Sequence, residues 1–208
     1  MKKSIFLTIL FSVIINVSCS NASTNDDNSN PNCNLVNPSA TINETEIELI
    51  KHMREEEKLA RDVYKYLYDK YQFFVFNNIM QSEQTHMDRI LCLLDHYNIS
   101  DPASTEYGVF TNPELQTLYN QLIAQGNLSL IDALKVGATI EDVDIKDLME
   151  YMNDTTNPAI LNIFDNLTCG SRNHMRAFVS NLTSNNISYS PQFISLELYN
   201  SIINGSHE

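Results

Sequence analysis

From about Ile42 onward, apolar residues recur at intervals of three, four or seven, the spacing of one face of a helix. Ile50, Met53, Ala60, Tyr64 and Leu67 form the first such track. It predicts a helix capped by Asn43 or Thr45 and running to about Tyr71. Ile79, Ile90, Leu93 and Leu94 predict a second helix, from about Asn77 to Tyr97. After Asp101-Pro102 comes a long connection with a short helix near Pro113 to Ala124, closed by Gly126-Asn127. A third long pattern covers about Ser129 to Met152, with Gly137 a point where it could bend. A fourth covers about Asn157 to Leu182 on Ile160, Phe164, Leu167, Phe178 and Leu182, and a last helical turn or two follows Ser190-Pro191. No run alternates with the strand period, and no repeat of solenoid length is visible. Two long helices, a long crossover and two more long helices predict an all-α fold, a four-helix bundle with one long connection carrying a short extra helix.

Each long track is interrupted where an apolar residue is due. Glu57 fills the gap between Met53 and Ala60, and Glu56 fits an almost equal track through Leu49 and Val63, so periodicity does not choose between them. Glu83 and His86 fill the gap between Ile79 and Ile90; Glu141 and Asp144 lie between Leu134 and Leu148; His174 lies between Leu167 and Phe178. Residues three apart on a helix are neighbours, with Cβ atoms about 5–6 Å from each other. Glu83 with His86, and Glu141 with Asp144, can therefore serve one centre from one helix. Inward carboxylates must be protonated, paired with arginine, exposed at a bundle end or bound to cations, because an unpaired buried ion costs several kcal/mol. Oxygen and imidazole donors without thiolate suit iron or manganese, and also zinc. Taken singly, each of these residues reads as a solvated helix residue; it is their recurrence in all four segments that points to metal. Bundle di-metal sites take a Glu from each of two helices and a Glu-x-x-His from each of the other two.

Composition adds a location. The leader MKKSIFLTILFSVIINVSC has two lysines, an apolar run and a cysteine after Val17-Ser18. It reads as a signal peptide over residues 1–18 and is set aside from the fold. The cysteine resembles that of a bacterial lipobox, with lipid on Cys19, although Asn16 stands where Leu is usual; a plain secretory signal, and a periplasmic or secreted protein, is the alternative. Residues 19–41, rich in Asn and Ser, read as a disordered polar tether, and residues 42–208 as one domain. The expected address is the bacterial cell envelope, with the membrane engaged by the lipid anchor only. The formal charge is −13, and −15 without Lys2 and Lys3. That argues against nucleic acid as a partner and is compatible with attracting metal ions. No CxxC occurs, which argues against a thiolate zinc site or a thioredoxin-type redox pair. Cys33 lies in the tether, while Cys92 and Cys169 read as small core residues able to pair if the fold brings them together.

The stretches EEEKLARDVY (55–64), NNIMQSEQTH (77–86), LKVGATIEDVDIKDL (134–148), GSRNHMRAF (170–178) and YSPQFIS (189–195) resemble the ferritin-like family catalogued as domain of unknown function 2202 (DUF2202), across about 45–203. The resemblance implies a ferritin-like bundle and supplies no reaction. A wider similarity, to rubrerythrin-like di-iron proteins, bears on the first helix. There a ligand Glu is followed by Ala three on, Arg four on and Tyr seven on, as Glu57 is by Ala60, Arg61 and Tyr64. By this resemblance Glu57 is favoured over Glu56. Glu83 and His86 look like the second-helix ExxH, and Glu141 and Asp144 like the paired acids of the third. His174 matches the fourth-helix His, but Ser171 stands where the Glu is expected and Gly170 precedes it. The expectation is therefore a lopsided site, with two iron ions or one ion plus a weak site, and with Asp144 or water completing the shell.

The resulting expectation is an envelope-anchored metal-binding protein with Glu57, Glu83, His86, Glu141, His174 and, more weakly, Asp144 as ligands. By resemblance it would oxidise Fe(II) with dioxygen or peroxide, as a ferroxidase or peroxidase-like oxidoreductase. Arg61, Arg172 and Arg176 could orient carboxylates or form ordinary surface pairs, and Tyr64 could sit near the metals or serve as core. A homodimer is a further expectation by the same resemblance. The alternatives are a zinc or manganese module without catalysis, and a surface interaction lipoprotein using the bundle as scaffold.

Overall fold

The computed structural model describes residues 35–37 and 39–208. The expected leader, the lipidation site Cys19, Cys33 and most of the tether lie outside the described residues. The described residues form six helices: α1 Glu44–Tyr71, α2 Phe74–His96, α3 Pro113–Gly126, α4 Leu130–Asn153, α5 Pro158–Ser184 and α6 Leu196–Asn204. No strand occurs among the described residues.

Local chemistry sets the helix boundaries. Asn43 and Glu46 form a reciprocal capping box at the start of α1, and Gln72 ends that helix in the left-handed conformation. Asn112, Ser129, Asn157 and Ser195 each cap a helix with a side-chain oxygen, satisfying amides that no intrahelical carbonyl reaches. Pro113 and Pro158 occupy first-turn positions, where a missing N–H costs nothing. At Gly137, where the pattern allowed a bend, α4 runs through without a break. The glycine is there for packing: a Cβ would lie 2.3 Å from the Phe178 ring.

The helices α1 and α2 pack along each other, as do α4 and α5, and the two pairs meet through α1–α4 and α2–α5 contacts. Helix α3 leans on α1 and α4, and α6 on α5. The buried apolar residues fall into two clusters. One gathers Tyr64, Leu67, Phe76, Leu134, Phe178 and Leu182; the other gathers Ile50, Met53, Ile90, Leu93, Leu148, Ile160, Phe164 and Leu167. On every long helix the polar interruption lies between a residue of one cluster and a residue of the other. Leu35, within the segment read as tether, rests on the second cluster. Cys92 and Cys169 are buried, and each is in a disulfide, so they are more than small core residues. No helix among the described residues is long and apolar enough to cross a membrane.

Buried charge holds the long connection in place. Lys58 and Asp62, both almost fully buried, pair at 2.6 Å, and the same amine reaches the carbonyls of Glu106 and Val109 at 3.0 and 3.1 Å. Glu55 accepts from the amides of Thr111 (2.6 Å) and Asn112 (3.1 Å), and Arg54 clamps Asp101 at 2.8 Å. Three of the six acidic and basic residues in EEEKLARDVY, Glu55, Lys58 and Asp62, therefore serve the crossover. Likewise Asp142, fully buried, gathers the amides of Gln192 and Ile194 (2.5 and 2.9 Å) and the Tyr189 hydroxyl (2.8 Å), which accounts for YSPQFIS.

Candidate metal centre

Between the two apolar clusters the four long helices bring six ionisable side chains inward. Glu57 comes from α1, Glu83 and His86 from α2, Glu141 and Asp144 from α4, and His174 from α5. Five of them fall into two groups that could each hold a cation, Glu57–Glu83–His86 and Glu83–Glu141–His174, all buried. Glu83 belongs to both. Its Oε2 lies 2.8 Å from His86 Nδ1 and its Oε1 lies 2.9 Å from His174 Nδ1. Glu57 Oε2 stands 3.2 Å from His86 Nδ1, and Glu141 Oε2 stands 3.4 Å from His174 Nδ1. The imidazole rings stack with centroids 5.5 Å apart. Each group thus has one carboxylate of its own, one imidazole and a share of Glu83. The two are equivalent in donor type, and the expected lopsidedness is not visible in them.

Several atoms in this centre lack hydrogen-bond partners although they are buried: Glu57 Oε1, Glu83 Oε1 and His174 Nδ1. The last two are 2.9 Å apart yet not aligned as donor and acceptor. Ligand atoms about 2.1 Å from a shared ion stand about 3–4 Å from each other without pointing at each other. Carboxylate and imidazole donors, orphaned in this way, fit divalent transition-metal ions.

Without an ion, the centre must hold protons. Burial, outweighing the His86 charge, pushes the Glu57 carboxyl up to about 8. Burial pulls against the charge on His86, but the Glu57 and Glu83 carboxylates prevail and hold it at about 10. His174 is raised well above its ordinary value against burial, by Glu83 and Glu141. Burial would raise Glu83, but the two imidazolium rings beside it hold its carboxyl well below the usual range. Glu141 is raised by burial, as is Asp144, whose shift Glu57 and Glu141 increase.

Neighbouring groups aim these side chains. Ser82 Oγ meets His174 Nε2 at 2.9 Å, which leaves Nδ1 facing the carboxylates. The Tyr64 hydroxyl donates to Glu141 Oε1 at 2.5 Å, so the inward tyrosine does touch a candidate ligand. Asp144 stands outside both groups and accepts a hydrogen bond from Ser171, the residue found where a Glu was expected. Gly170 also has a role. A Cβ there would lie 2.5 Å from His86 Nε2, so only glycine leaves the ring its place. Arg61 does not reach a candidate ligand; it holds Asp62 and, at 2.7 Å, Gln84, the residue after Glu83. Arg172 and Arg176 clamp Glu208 (Arg172 Nε to Oε1 at 2.9 Å, Arg176 Nη2 to Oε1 at 2.8 Å) and so form an ordinary carboxylate pair. Ser82 carries no signal of this role in the sequence, although it directly precedes Glu83. Glu56, the alternative to Glu57, points to a different group with His52 and Asp147.

Comparison with known proteins agrees with the family reading. The model of the uncharacterized protein domain DUF2202 matches residues 46–206. The chain belongs to the DUF2202 family. It is 52% identical over 172 residues to "Uncharacterized protein MJ0754" of Methanocaldococcus jannaschii, covering 82% of this chain and 93% of that protein. A crystal structure of the hypothetical protein MJ0754 from Methanococcus jannaschii superposes with a TM-score of 0.80 at 52% identity, over 81% of this chain and 97% of that one. Membership in DUF2202 brings no activity with it, so the function has to be argued from the centre itself.

Proposed function

We propose that this DUF2202 protein is an envelope-anchored, ferritin-like metal-binding protein whose buried carboxylate–histidine centre holds two iron ions and oxidises Fe(II) with dioxygen or peroxide. The observation that carries the reading is Glu83, with one oxygen facing His86 and the other facing His174, inside two buried groups in which Glu57 Oε1, Glu83 Oε1 and His174 Nδ1 have no hydrogen-bond partner. The packing of α1, α2, α4 and α5 in two pairs, with the long crossover between α2 and α4, fits a ferritin-like four-helix bundle. The disulfides of Cys92 and Cys169 fit an oxidising compartment, as an exported chain requires.

Iron bound there would supply a one-electron redox couple and open coordination positions. The protein's part follows from its side chains. Glu57, Glu83 and Glu141 supply the negative charge that favours the more highly charged ion. His86 and His174 give up their protons when metal binds. Tyr64 and Ser82 hold Glu141 and His174 in position. With Fe(II) as substrate, two ions give two electrons, which with two protons reduce one peroxide to two waters.

The test is the metal content of the full chain beside a Glu83→Ala/His86→Ala double variant, followed by Fe(II) oxidation monitored optically with dioxygen or peroxide. Iron near two per chain, lost in the variant, with Fe(II) oxidised faster than in buffer, is the expected result. Equal metal in both chains would refute the reading. Tightly held zinc with no Fe(II) oxidation would replace it with the non-catalytic module.

A further inference from the structure

A second constellation lies on the outer side of the α1–α4 contact. His52 and Glu56 are one turn apart on α1, and Asp147 faces them from α4; one potential ligand atom of each lies within 4.8 Å of the others. We infer that His52, Glu56 and Asp147 form an outer cation site for a divalent transition-metal ion, and that this ion passes inward from there to the buried centre. The binding claim stands alone; the passage claim rests on the buried centre holding metal.

Glu56 supplies the observation that separates this group from an ordinary acidic patch. Its side chain is only 10% exposed, and its Oε2 is buried with no hydrogen-bond partner. Its other oxygen stands 3.6 Å from His52 Nε2, too long for a hydrogen bond but within the spacing of two ligands of one ion. The remaining ligands are held. Tyr151 meets the His52 ring edge-on at 5.9 Å, and Lys146 takes Asp147 Oδ1 at 2.7 Å. One imidazole with two carboxylates selects a borderline transition ion over calcium or magnesium, which favour all-oxygen shells. With His52 30% and Asp147 16% exposed, water can complete the shell and the ion can be exchanged.

The surroundings give the site an outside and an inside. Outward, His52 borders an open hollow that carries three carboxylates, Glu48, Glu55 and Glu114, against one cation, Lys51, which pairs with Glu48. A wall of net negative charge favours cations. Inward, Glu56 and Asp144 are the carboxylates of an otherwise mainly apolar pocket between α1, α3 and α4. Asp144 in turn stands three residues from Glu141 on α4, so the two carboxylates are neighbours on one face of that helix. The carboxylates thus follow one another from the hollow to the buried centre.

The experiment uses the full chain, stripped of metal and then given Mn(II) alone. Mn(II) per chain is measured by equilibrium dialysis, and its positions by anomalous diffraction from soaked crystals. The native chain, a His52→Ala/Asp147→Asn variant and the Glu83→Ala/His86→Ala variant are compared. An anomalous peak beside His52 Nε2, and one ion that persists when the inner ligands are removed, are expected. In the outer variant that ion should bind more than about tenfold more weakly, and the inner ions should load on the order of tenfold more slowly. Asp147→Asn alone, at a partly exposed position, should reproduce the weakening if the double variant folds poorly. Unchanged Mn(II) content in the outer variants, or no peak at His52, overturns the site. Unchanged inner loading despite loss of the outer ion overturns the passage. An outer ion with an inner centre empty of Mn(II) would uphold the site while refuting the passage.

Discussion

Gly170→Ala puts the candidate centre to a test in which two known effects oppose each other. In an exposed helix interior this change stabilises by about 1 kcal/mol, because alanine loses less backbone freedom. Here the new Cβ would stand 2.5 Å from His86 Nε2 and 2.7 Å from Cε1. Ordinary contact between such atoms is about 3.5 Å, so the ring must retreat by roughly 1 Å. It has little freedom to do so, because the other ring nitrogen, Nδ1, is held by Glu83 at 2.8 Å and Glu57 at 3.2 Å. Crowding a packed interior costs about 1–3 kcal/mol, which outweighs the propensity gain or at best cancels it. Displacing the imidazole should also weaken metal binding by about 10–100-fold, the usual effect of disturbing a ligand's orientation. Urea denaturation of the metal-free chain and a metal titration read the two quantities separately. Gly137→Ala is the control: it crowds Phe178 at 2.3 Å, so it should lower stability while keeping the metal stoichiometry. A Gly170→Ala protein about 1 kcal/mol more stable than the native chain, with native metal affinity, would show that His86 is not seated as described.

The metal-free protein should respond to pH in a definite direction. His86, held at about 10 against an ordinary 6.5, adds stability that is full below pH 6.5 and lost as pH rises through 10; Glu57, raised from 4.5 to about 8, loses its contribution between those values. The melting temperature with chelator should therefore fall from pH 6 to 10 while metal affinity rises; a flat or rising profile would contradict the proton-filled centre. Lys58→Met removes one partner of a buried pair, which usually costs about 3–5 kcal/mol. Arg61 still holds Asp62 at 2.7 Å, so the lower end is expected, with faster hydrogen exchange around Gly108; a loss below about 1 kcal/mol in urea would refute the bracing role. Ser82→Ala should leave stability within about 1 kcal/mol and weaken metal binding by about 10–100-fold, since His174 Nε2 loses the group that fixes it. Full affinity in that variant would mean that packing alone orients the ring.

The extent of the helices was legible because it is a local property. Capping side chains sit within three residues of the amides they serve, and the four long helices end within a few residues of where the apolar tracks stop. Glu83, His86, Glu141 and His174 were legible as inward residues for the same reason: each interrupts an apolar track at mid-helix. The use made of neighbouring charges was not legible. Glu55, Lys58 and Asp62 look like a solvated face, and they are buried because the connection from Ile99 to Asn112 folds back over them. Asp142 reads as one acid among several in EDVDIKD until the loop at 189–194 closes on it.

By itself, the sequence determined an all-helical chain, where its helices start and stop, and the depth along each helix at which polar groups turn inward. Only the tertiary structure decided which groups meet. Successive residues of a helix point about 100° apart, and an inward stripe is itself about 100° wide, so Glu56 and Glu57 both satisfy the pattern. The rotation and crossing of α1 against α2 and α4 sends one to His86 and Glu83 and the other to His52 and Asp147. Those meetings join residues far apart in the chain through side-chain packing, about which a period along one helix carries no information. The same holds for the two-sided position of Glu83 and for the pairing of Asp144 with Ser171.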